Sequence, residues 1–324
     1  MKIYICDYPH SANKWIYKGY RNAWKKLGYE VVIIPADKLL SEVFEDCGEE
    51  YMVMIPDFAA SGEDAGDGCL EILDKSYKSF VSAQPNAFPA PWGHHLNFKC
   101  GASASAITAL NQMDNVFLWA FADDDFGSSG SQFGWRKWKK VNTIPLAYDS
   151  VAYQEIKDDK YKEFDISFIG GWANNGFNEK RKIMTDIFSK FMKSGLKCGF
   201  FIEKNLTHEQ ECKLLYNSKM TLNIHDAYQR TLGCDTNERT FKSLGLNGCL
   251  VSDTVGQLNR IFPNLRTSLD PDEIVQIAKD YLSLSEKELN DIKEENRQNI
   301  LENHTYINRV KAMLSFKNSQ YDAS

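Results

Sequence analysis

Short apolar runs alternate with amphipathic stretches along most of the chain. Lys2–Cys6 (KIYIC) predicts a first strand, Trp15–Leu27 an amphipathic helix stopped by Gly28, and Glu30–Pro35 the next strand. That is a βαβ opening. A short helix over Ala36–Asp46 precedes a third strand at Tyr51–Pro56. Leu70–Phe80 predicts a helix, Ala102–Met113 a helix of small residues, and Val116–Phe121 a strand. Val141–Ala147 leads to a polar hinge at Tyr148–Lys162. The second half alternates more cleanly, with strands at Asp165–Gly171 and Leu196–Ile202 around a helix at Asn178–Lys193. Thr207 and Gln210 form a capping box for a helix ending near Asn217. Asp270-Pro271 opens another helix with proline at its first position. Ser285 and Glu288 form a second capping box, and His304–Phe316 is a final amphipathic helix.

The rest is organised around Thr221–Gly256. Thr221–Asp226 reads as a strand ending in His225 and Asp226, and Tyr228–Asp235 as a loop. A helix starts near Thr236 and stops at Asn247-Gly248, a pair suited to a left-handed cap. Cys249–Val251 is a buried-type strand breaking into Ser252-Asp253-Thr254. Ligands of parallel α/β sheets bind outside the carboxyl ends of the strands. Asn237, Arg239 and Thr240 fall in the first helical turn, where free N–H groups and a guanidinium fork suit a diphosphate. An ordinary αβ unit with a solvated first turn fits the same residues.

A length of 324 residues exceeds one usual core and implies two domains. With 43% hydrophobic and 25% charged residues the composition is that of a globular protein. The net charge of −6 gives no global attraction to nucleic acid or anionic lipid. Eight cysteines without a C-x-x-C pair suit free thiols in a reducing compartment better than disulfides or zinc. No run approaches the roughly 20 apolar residues of a membrane helix, and the N-terminus has no signal-peptide core. A cytoplasmic location and no membrane insertion are expected. The opening βαβ lacks G-x-G-x-x-G, so a dinucleotide there is not expected.

The run Asn237-Glu238-Arg239-Thr240-Phe241, with Leu244, Gly248, Leu250, Val251 and Asp253, resembles the donor segment of CgeB-like glycosyltransferases, of the two-domain GT-B class. Ile144–Asp149, Asp165–Gly170, Tyr216–Lys219 with Leu222-Asn223, and His304–Tyr306 with Arg309 echo that family in order, over about the C-terminal half. The resemblance implies two Rossmann-like α/β/α domains facing a cleft: an acceptor domain at 1–150 and a nucleotide-sugar donor domain at 151–302. The helix and tail at 303–324 would cross back to the first domain. It also implies a metal-independent glycosyltransferase, with a nucleoside-diphosphate sugar as co-substrate and no cofactor. The acceptor would be a glycan, a small molecule or DNA. Relatives usually carry a ribose-binding glutamate directly after the phenylalanine, where this chain has Lys242. A lysine cannot accept hydrogen bonds from a diol. Glu238, one turn earlier on the same face, then takes the role, or the donor is held differently, or activity is lost.

Sugar transfer requires stabilisation of the departing diphosphate and, with inversion, a base for the acceptor proton. The first task falls to Gly170, Gly171, Arg181, Arg230, Arg239 and the turn Asn237–Thr240, with His225 and Asp226 closing the preceding strand. A glycine turn, a solvated arginine and a structural histidine are the competing readings. For the base, His10 follows the first strand, and His94 and His95 follow a proline-rich turn. Asp123-Asp124-Asp125 is read as an acidic loop rather than a metal site. Trp135–Lys140 combines cations with tryptophans and is the patch that would meet DNA, against a solvated helix with its tryptophans packed inward. Two alternatives therefore stand beside the main expectation. One is a transferase acting on hydroxymethylated DNA bases; the other is a degenerate protein that binds a nucleotide or glycan without turnover.

Overall fold

The computed structural model describes residues 1–7, 13–57, 68–83, 88–89, 95–96, 103–123, 138, 141–172 and 179–317. Two compact units emerge: one holds the described residues up to Pro145 and from Tyr306 onward, the other Leu146–Thr305. No helix among the described residues is long and apolar enough to cross a membrane.

The first unit contains β1 (Lys2–Cys6), α1 (Asn13–Lys26), β2 (Glu30–Ile34), α2 (Leu40–Val43), β3 (Tyr51–Pro56), α3 (Cys69–Lys75) and β4 (Lys78–Ser82). It continues with the two-residue strands β5 (Phe88–Pro89) and β6 (His95–Leu96), then α4 (Ala104–Leu110), β7 (Val116–Ala120) and β8 (Asn142–Thr143). Six strands form one parallel sheet in the order β2-β1-β3-β4-β7-β8. The helix expected over Leu70–Phe80 is cut short at Lys75. Ser76 Oγ donates to Leu73 O at 2.8 Å, closing that helix, and the chain turns into β4. Ser79, Phe80 and Val81 are buried between β3 and β7, so pairing in the sheet overrides the helical spacing. The helix expected over Ala36–Asp46 shrinks likewise to the four residues of α2.

The second unit contains β9 (Ile166–Gly170), α5 (Lys180–Lys193), β10 (Cys198–Ile202), α6 (His208–Asn217), β11 (Met220–Asn223) and α7 (Ala227–Leu232). Then come α8 (Glu238–Leu246), β12 (Leu250–Ser252), α9 (Gly256–Ile261), α10 (Pro271–Ser283) and α11 (Glu286–Asn303). Its four-stranded sheet is parallel, in the order β10-β9-β11-β12. On α5, Met184, Ile187, Phe188 and Phe191 are buried at helical spacing against Ile166, Phe168, Met220 and Leu222 of the sheet. The capping boxes at Thr207 and Ser285 both form: Gln210 N donates to Thr207 Oγ1 at 3.2 Å and Glu288 N to Ser285 Oγ at 3.3 Å. The stretch expected as a loop at Tyr228–Asp235 instead holds α7. Asp226 N donates to Gln229 Oε1 at 3.0 Å at its start, and Gly233 ends it at a φ of 68°.

The chain ends in α12 (Tyr306–Leu314), which belongs to the first unit. Tyr306 packs its ring on that of Tyr20 of α1 at 4.9 Å, and Arg309 Nε donates to Pro145 O at 2.8 Å. Lys78 Nζ, buried at the start of β4, donates to Leu314 O at 2.8 Å and also to Phe316 O. The last carbonyl of the helix, that of Leu314, thus receives a cation that suits the negative end of its dipole.

Candidate functional site

The carboxyl ends of β9, β11 and β12 meet the first turn of α8, and the sequence explains why that helix is fixed. Asn237 caps it, its Oδ1 accepting from Thr240 N at 3.3 Å. From Thr240 to Leu246 every residue is buried, so α8 runs through the interior. At its far end Gly248 has a φ of 81°, and a Cβ there would lie 2.1 Å from Lys293 O, so only glycine ends the helix this way.

Arg239 spans the strand ends. Its Nε donates to Ile169 O at 2.7 Å, and its Nη1 to Asn223 Oδ1 at 3.2 Å and Ile224 O at 3.4 Å. The guanidinium also lies over the Phe168 ring, 4.7 Å from its centroid. Its Nη2 comes close to Gly170, where a Cβ would stand 2.2 Å away. Gly170 is therefore glycine because the guanidinium packs on its Cα. Gly171, exposed, would meet nothing within 4 Å.

Behind Arg239 lies a buried polar network. Arginine only donates, so the Asn223 atom facing it is Oδ1 and the other is Nδ2. That Nδ2 lies 3.0 Å from Thr240 Oγ1, 3.3 Å from Ser252 Oγ and 3.3 Å from His225 Nε2. Nε2 therefore accepts, and the ring proton sits on Nδ1, which donates to Asp253 Oδ1 at 2.6 Å. The backbone N–H of His225 also donates to Asp253, at 3.1 Å to each oxygen. Thr236 Oγ1 fills the remaining approach to Nε2 at 2.8 Å. His225 is wholly buried with both ring nitrogens occupied, so it positions the strand ends. Burial pushes the Asp253 carboxyl up, but His225 and the Arg230 guanidinium more than offset it and hold it below the usual carboxylate range. Arg230 Nε lies 3.6 Å from Asp253 Oδ2, and its Nη2 donates to Leu269 O at 3.3 Å.

A third cation went unnoticed in the sequence. Lys180, the first residue of α5, is 8% exposed and pairs with Asp226 Oδ1 at 2.7 Å. Burial draws its ammonium below the usual lysine range, partly opposed by Asp226. Its neighbour Arg181, the residue singled out from the sequence, is exposed. It donates from Nε to Trp172 O at 3.4 Å and lies over the Trp172 ring at 5.6 Å. The signal that could have found Lys180 is positional, since the first turn of a helix following a sheet strand faces the carboxyl edge. Lys180, Arg230 and Arg239 against Asp226 and Asp253 leave one positive charge in surplus, beside the positive end of α8.

Lys242 does not reach this cluster. Its ammonium is inserted between Glu211 Oε1 of α6 and Glu238 Oε2, the latter at 3.5 Å. The pairing with both carboxylates raises the ammonium above the usual lysine range, against the effect of burial. His10 and His94 lie outside the described residues, and His95 is described in its backbone alone. Asp124, Asp125, Trp135–Lys137, Lys139 and Lys140 also lie outside them, while Trp138 is buried.

Two parallel α/β sheets, with the final helix returned to the first unit and a cation-rich edge on the second, define the GT-B glycosyltransferase fold. Residues 162–315 match the model of a family described as glycosyl transferase-like. The second unit is therefore similar to that family, and the fold of the two units is that of the GT-B class. No curated protein matches it significantly. Among solved structures it is similar to one described as trehalose-6-phosphate from E. coli bound with UDP-2-fluoro glucose. There the TM-score is 0.55 at 10% identity, over 97% of this chain and 98% of that one. It is also similar to an α-glucosyltransferase in complex with UDP and a 13-mer DNA containing an HMU base (0.52, 12%, 97% and 98%). T4 phage BGT with its UDP-glucose substrate matches with a TM-score of 0.50 at 11% identity, over 98% of this chain and 100% of that one.

Proposed function

We propose that this protein transfers a sugar from a nucleoside-diphosphate sugar to an acceptor hydroxyl, without a metal ion. The observation that carries the reading is the convergence of Arg239, Lys180 and Arg230 on the carboxyl edge of a parallel sheet, beside the first turn of α8. As the bond from the sugar to the diphosphate breaks, negative charge grows on the leaving oxygen. Fixed cations and helix N–H groups stabilise that charge without reorganising, because the network behind Arg239 already holds them. The UDP and UDP-sugars bound by the similar structures support a nucleotide donor. In an inverting reaction His10, His94 or His95 takes the acceptor proton, and single alanine substitutions identify which. The test is incubation with a panel of nucleotide sugars and acceptors that includes hydroxymethylated duplex DNA. Release of free diphosphate with a glycosylated product supports the reading. Tight nucleotide binding without turnover on any acceptor would replace it with a binding role.

A further inference from the structure

α11 turns one stripe of side chains, Ile292, Glu295, Asn296 and Asn299, towards the loop that follows α9. At that spacing a helix normally offers apolar groups to close packing. Here only Ile292 is apolar, and between helix and loop lies a cavity of about 390 Å³, within the range of small-ligand pockets. The facing wall is fixed by its own turn. Leu265 N donates to Phe262 O at 3.0 Å, with Pro263 and Asn264 at the two central positions. Phe262 anchors that turn on the Phe241 ring of α8 at 5.9 Å. Leu244 of α8 and Tyr281 of α10 also line the cavity.

The polar atoms around the cavity include both donors and acceptors. Asn296 Nδ2 donates to Gly248 O at 2.9 Å, which leaves its Oδ1 as an acceptor. Asn303 Nδ2 donates to Asn299 Oδ1 at 2.9 Å, which leaves the Asn299 Nδ2 as a donor. Among the described residues, the Glu295 carboxylate, the Tyr281 hydroxyl and the Asn264 amide have no hydrogen-bond partner. Arg266 and Glu295 are the charged residues of the lining, and Arg266 is already held by Asp280 at 2.7 Å. With no surplus of positive charge the cavity does not suit a phosphate, and one carboxylate beside a guanidinium does not suit an ammonium. Hydroxyl groups, each a donor and an acceptor, suit the mixed set, and a carboxylate accepts from two of them at once. Leu244, Ile261, Phe262 and Ile292 offer an apolar surface to the C–H face of the same molecule.

We propose that this cavity binds one neutral sugar unit, at a site separate from that of the nucleotide donor. Leu244 follows Arg239 on α8 by about 7.5 Å along the axis and about 140° around it, so the cavity and the cation cluster use different sides of that helix. Glu295, Asn296 and Asn299 meet the sugar hydroxyls from α11, and Asn264 and Tyr281 meet them from the other walls. In an enzyme that elongates a glycan, such a site holds the chain through a sugar unit that does not react.

The experiment titrates the full chain with the methyl glycosides of glucose, galactose, mannose and N-acetylglucosamine, read by saturation-transfer NMR, with UDP affinity measured alongside by calorimetry. At least one glycoside is expected to bind with a millimolar Kd, the range open to a ligand of that size. Glu295→Ala should weaken it by about tenfold or more and Asn264→Ala by about fivefold, as expected for lost hydrogen bonds to a charged and to a neutral group. Both residues are exposed at the rim, so melting temperature and UDP affinity should stay at wild-type values. Arg239→Met should lower UDP affinity and leave glycoside binding unchanged. Glycoside binding that is lost in Arg239→Met, or that neither rim variant alters, lies elsewhere and would overturn the proposal. Absence of binding by all four glycosides would overturn it too, while UDP binding in the same sample would leave the nucleotide reading intact. Glycoside binding without UDP binding would have the reverse meaning. If Glu295→Ala fails to fold, Asn264→Ala decides alone, and an unchanged Kd there counts against the cavity.

Discussion

Replacing Gly170 by alanine tests the placement of Arg239 with one methyl group. The new Cβ would lie 2.2 Å from Arg239 Nη2, 3.0 Å from its Cζ and 3.2 Å from Phe168 Cζ. Ordinary contact begins near 3.4 Å, so the guanidinium must retreat by about 1.2 Å. Its Nε bond to Ile169 O, now 2.7 Å, then passes the 3.5 Å beyond which no hydrogen bond remains. Phe168 is wholly buried in the core of the second unit and cannot yield to make room. Losing one hydrogen bond from a charged group and overpacking the site together cost about 2–4 kcal/mol. Urea denaturation reads that loss, and calorimetry with UDP reads an accompanying fall in affinity of at least about tenfold. Gly171→Ala is the control, because its Cβ meets nothing within 4 Å. It should stay within about 0.5 kcal/mol of the wild type. Gly170→Ala matching the wild type in both stability and affinity would refute the reasoning.

Lys180→Met should lower affinity for a nucleoside diphosphate, whereas Arg181→Ala should leave it within about twofold, because Arg181 is exposed and lies over Trp172; equal losses in binding assays would remove the distinction. Asp253→Asn should cost about 3–5 kcal/mol at pH 7, as expected for one partner of a buried pair. The folded state holds the Asp253 carboxyl below its ordinary value near 3.9, so this stabilisation is complete above that pH and lost as pH falls through the folded value. Denaturation curves of mutant and wild type should accordingly converge below about pH 4, and a constant gap would count against the assignment. Sugar transfer should survive EDTA unchanged if Lys180, Arg230, Arg239 and α8 supply the charge; loss of turnover rescued by manganese or magnesium would show otherwise.

Elements whose cause is local were legible in the sequence. The capping boxes at Thr207 and Ser285 and the proline start at Pro271 satisfy backbone groups through neighbouring side chains, so they carry their own evidence. β4 was not legible, because Lys78–Ser82 becomes a strand only through β3 and β7, which are distant in sequence. α7 was legible in principle, since Asp226, Gln229 and Gly233 stand at cap spacing, but its apolar positions are too few to show a period. In the site, Arg239 followed from its place in a first turn. Gly170 and Gly171 looked equivalent, and only the path of a side chain from 69 residues away separates them. The role of Lys242 depended on Glu211, on another helix, which no reading of its own neighbours supplies.

The arrangement around Arg239 also explains why the anchor is an arginine. Of its five N–H groups, the one on Nε and those on Nη1 are directed to Ile169, Asn223 and Ile224. The two on Nη2 have no hydrogen-bond partner among the described residues and lie at Gly170, the last residue of β9. The protein's acceptors occupy one side of the fork, and the other side carries the donors that the proposed diphosphate would meet. A lysine has three donors around a single atom and could not bridge three acceptors while presenting two more. The same contact fixes the Asn223 amide, which sets the His225 proton on Nδ1 and so ties Asp253 to the strand end. The orientation of the guanidinium is therefore settled by hydrogen bonds within the protein, which on the proposed function would spare diphosphate binding the entropy of ordering that side chain.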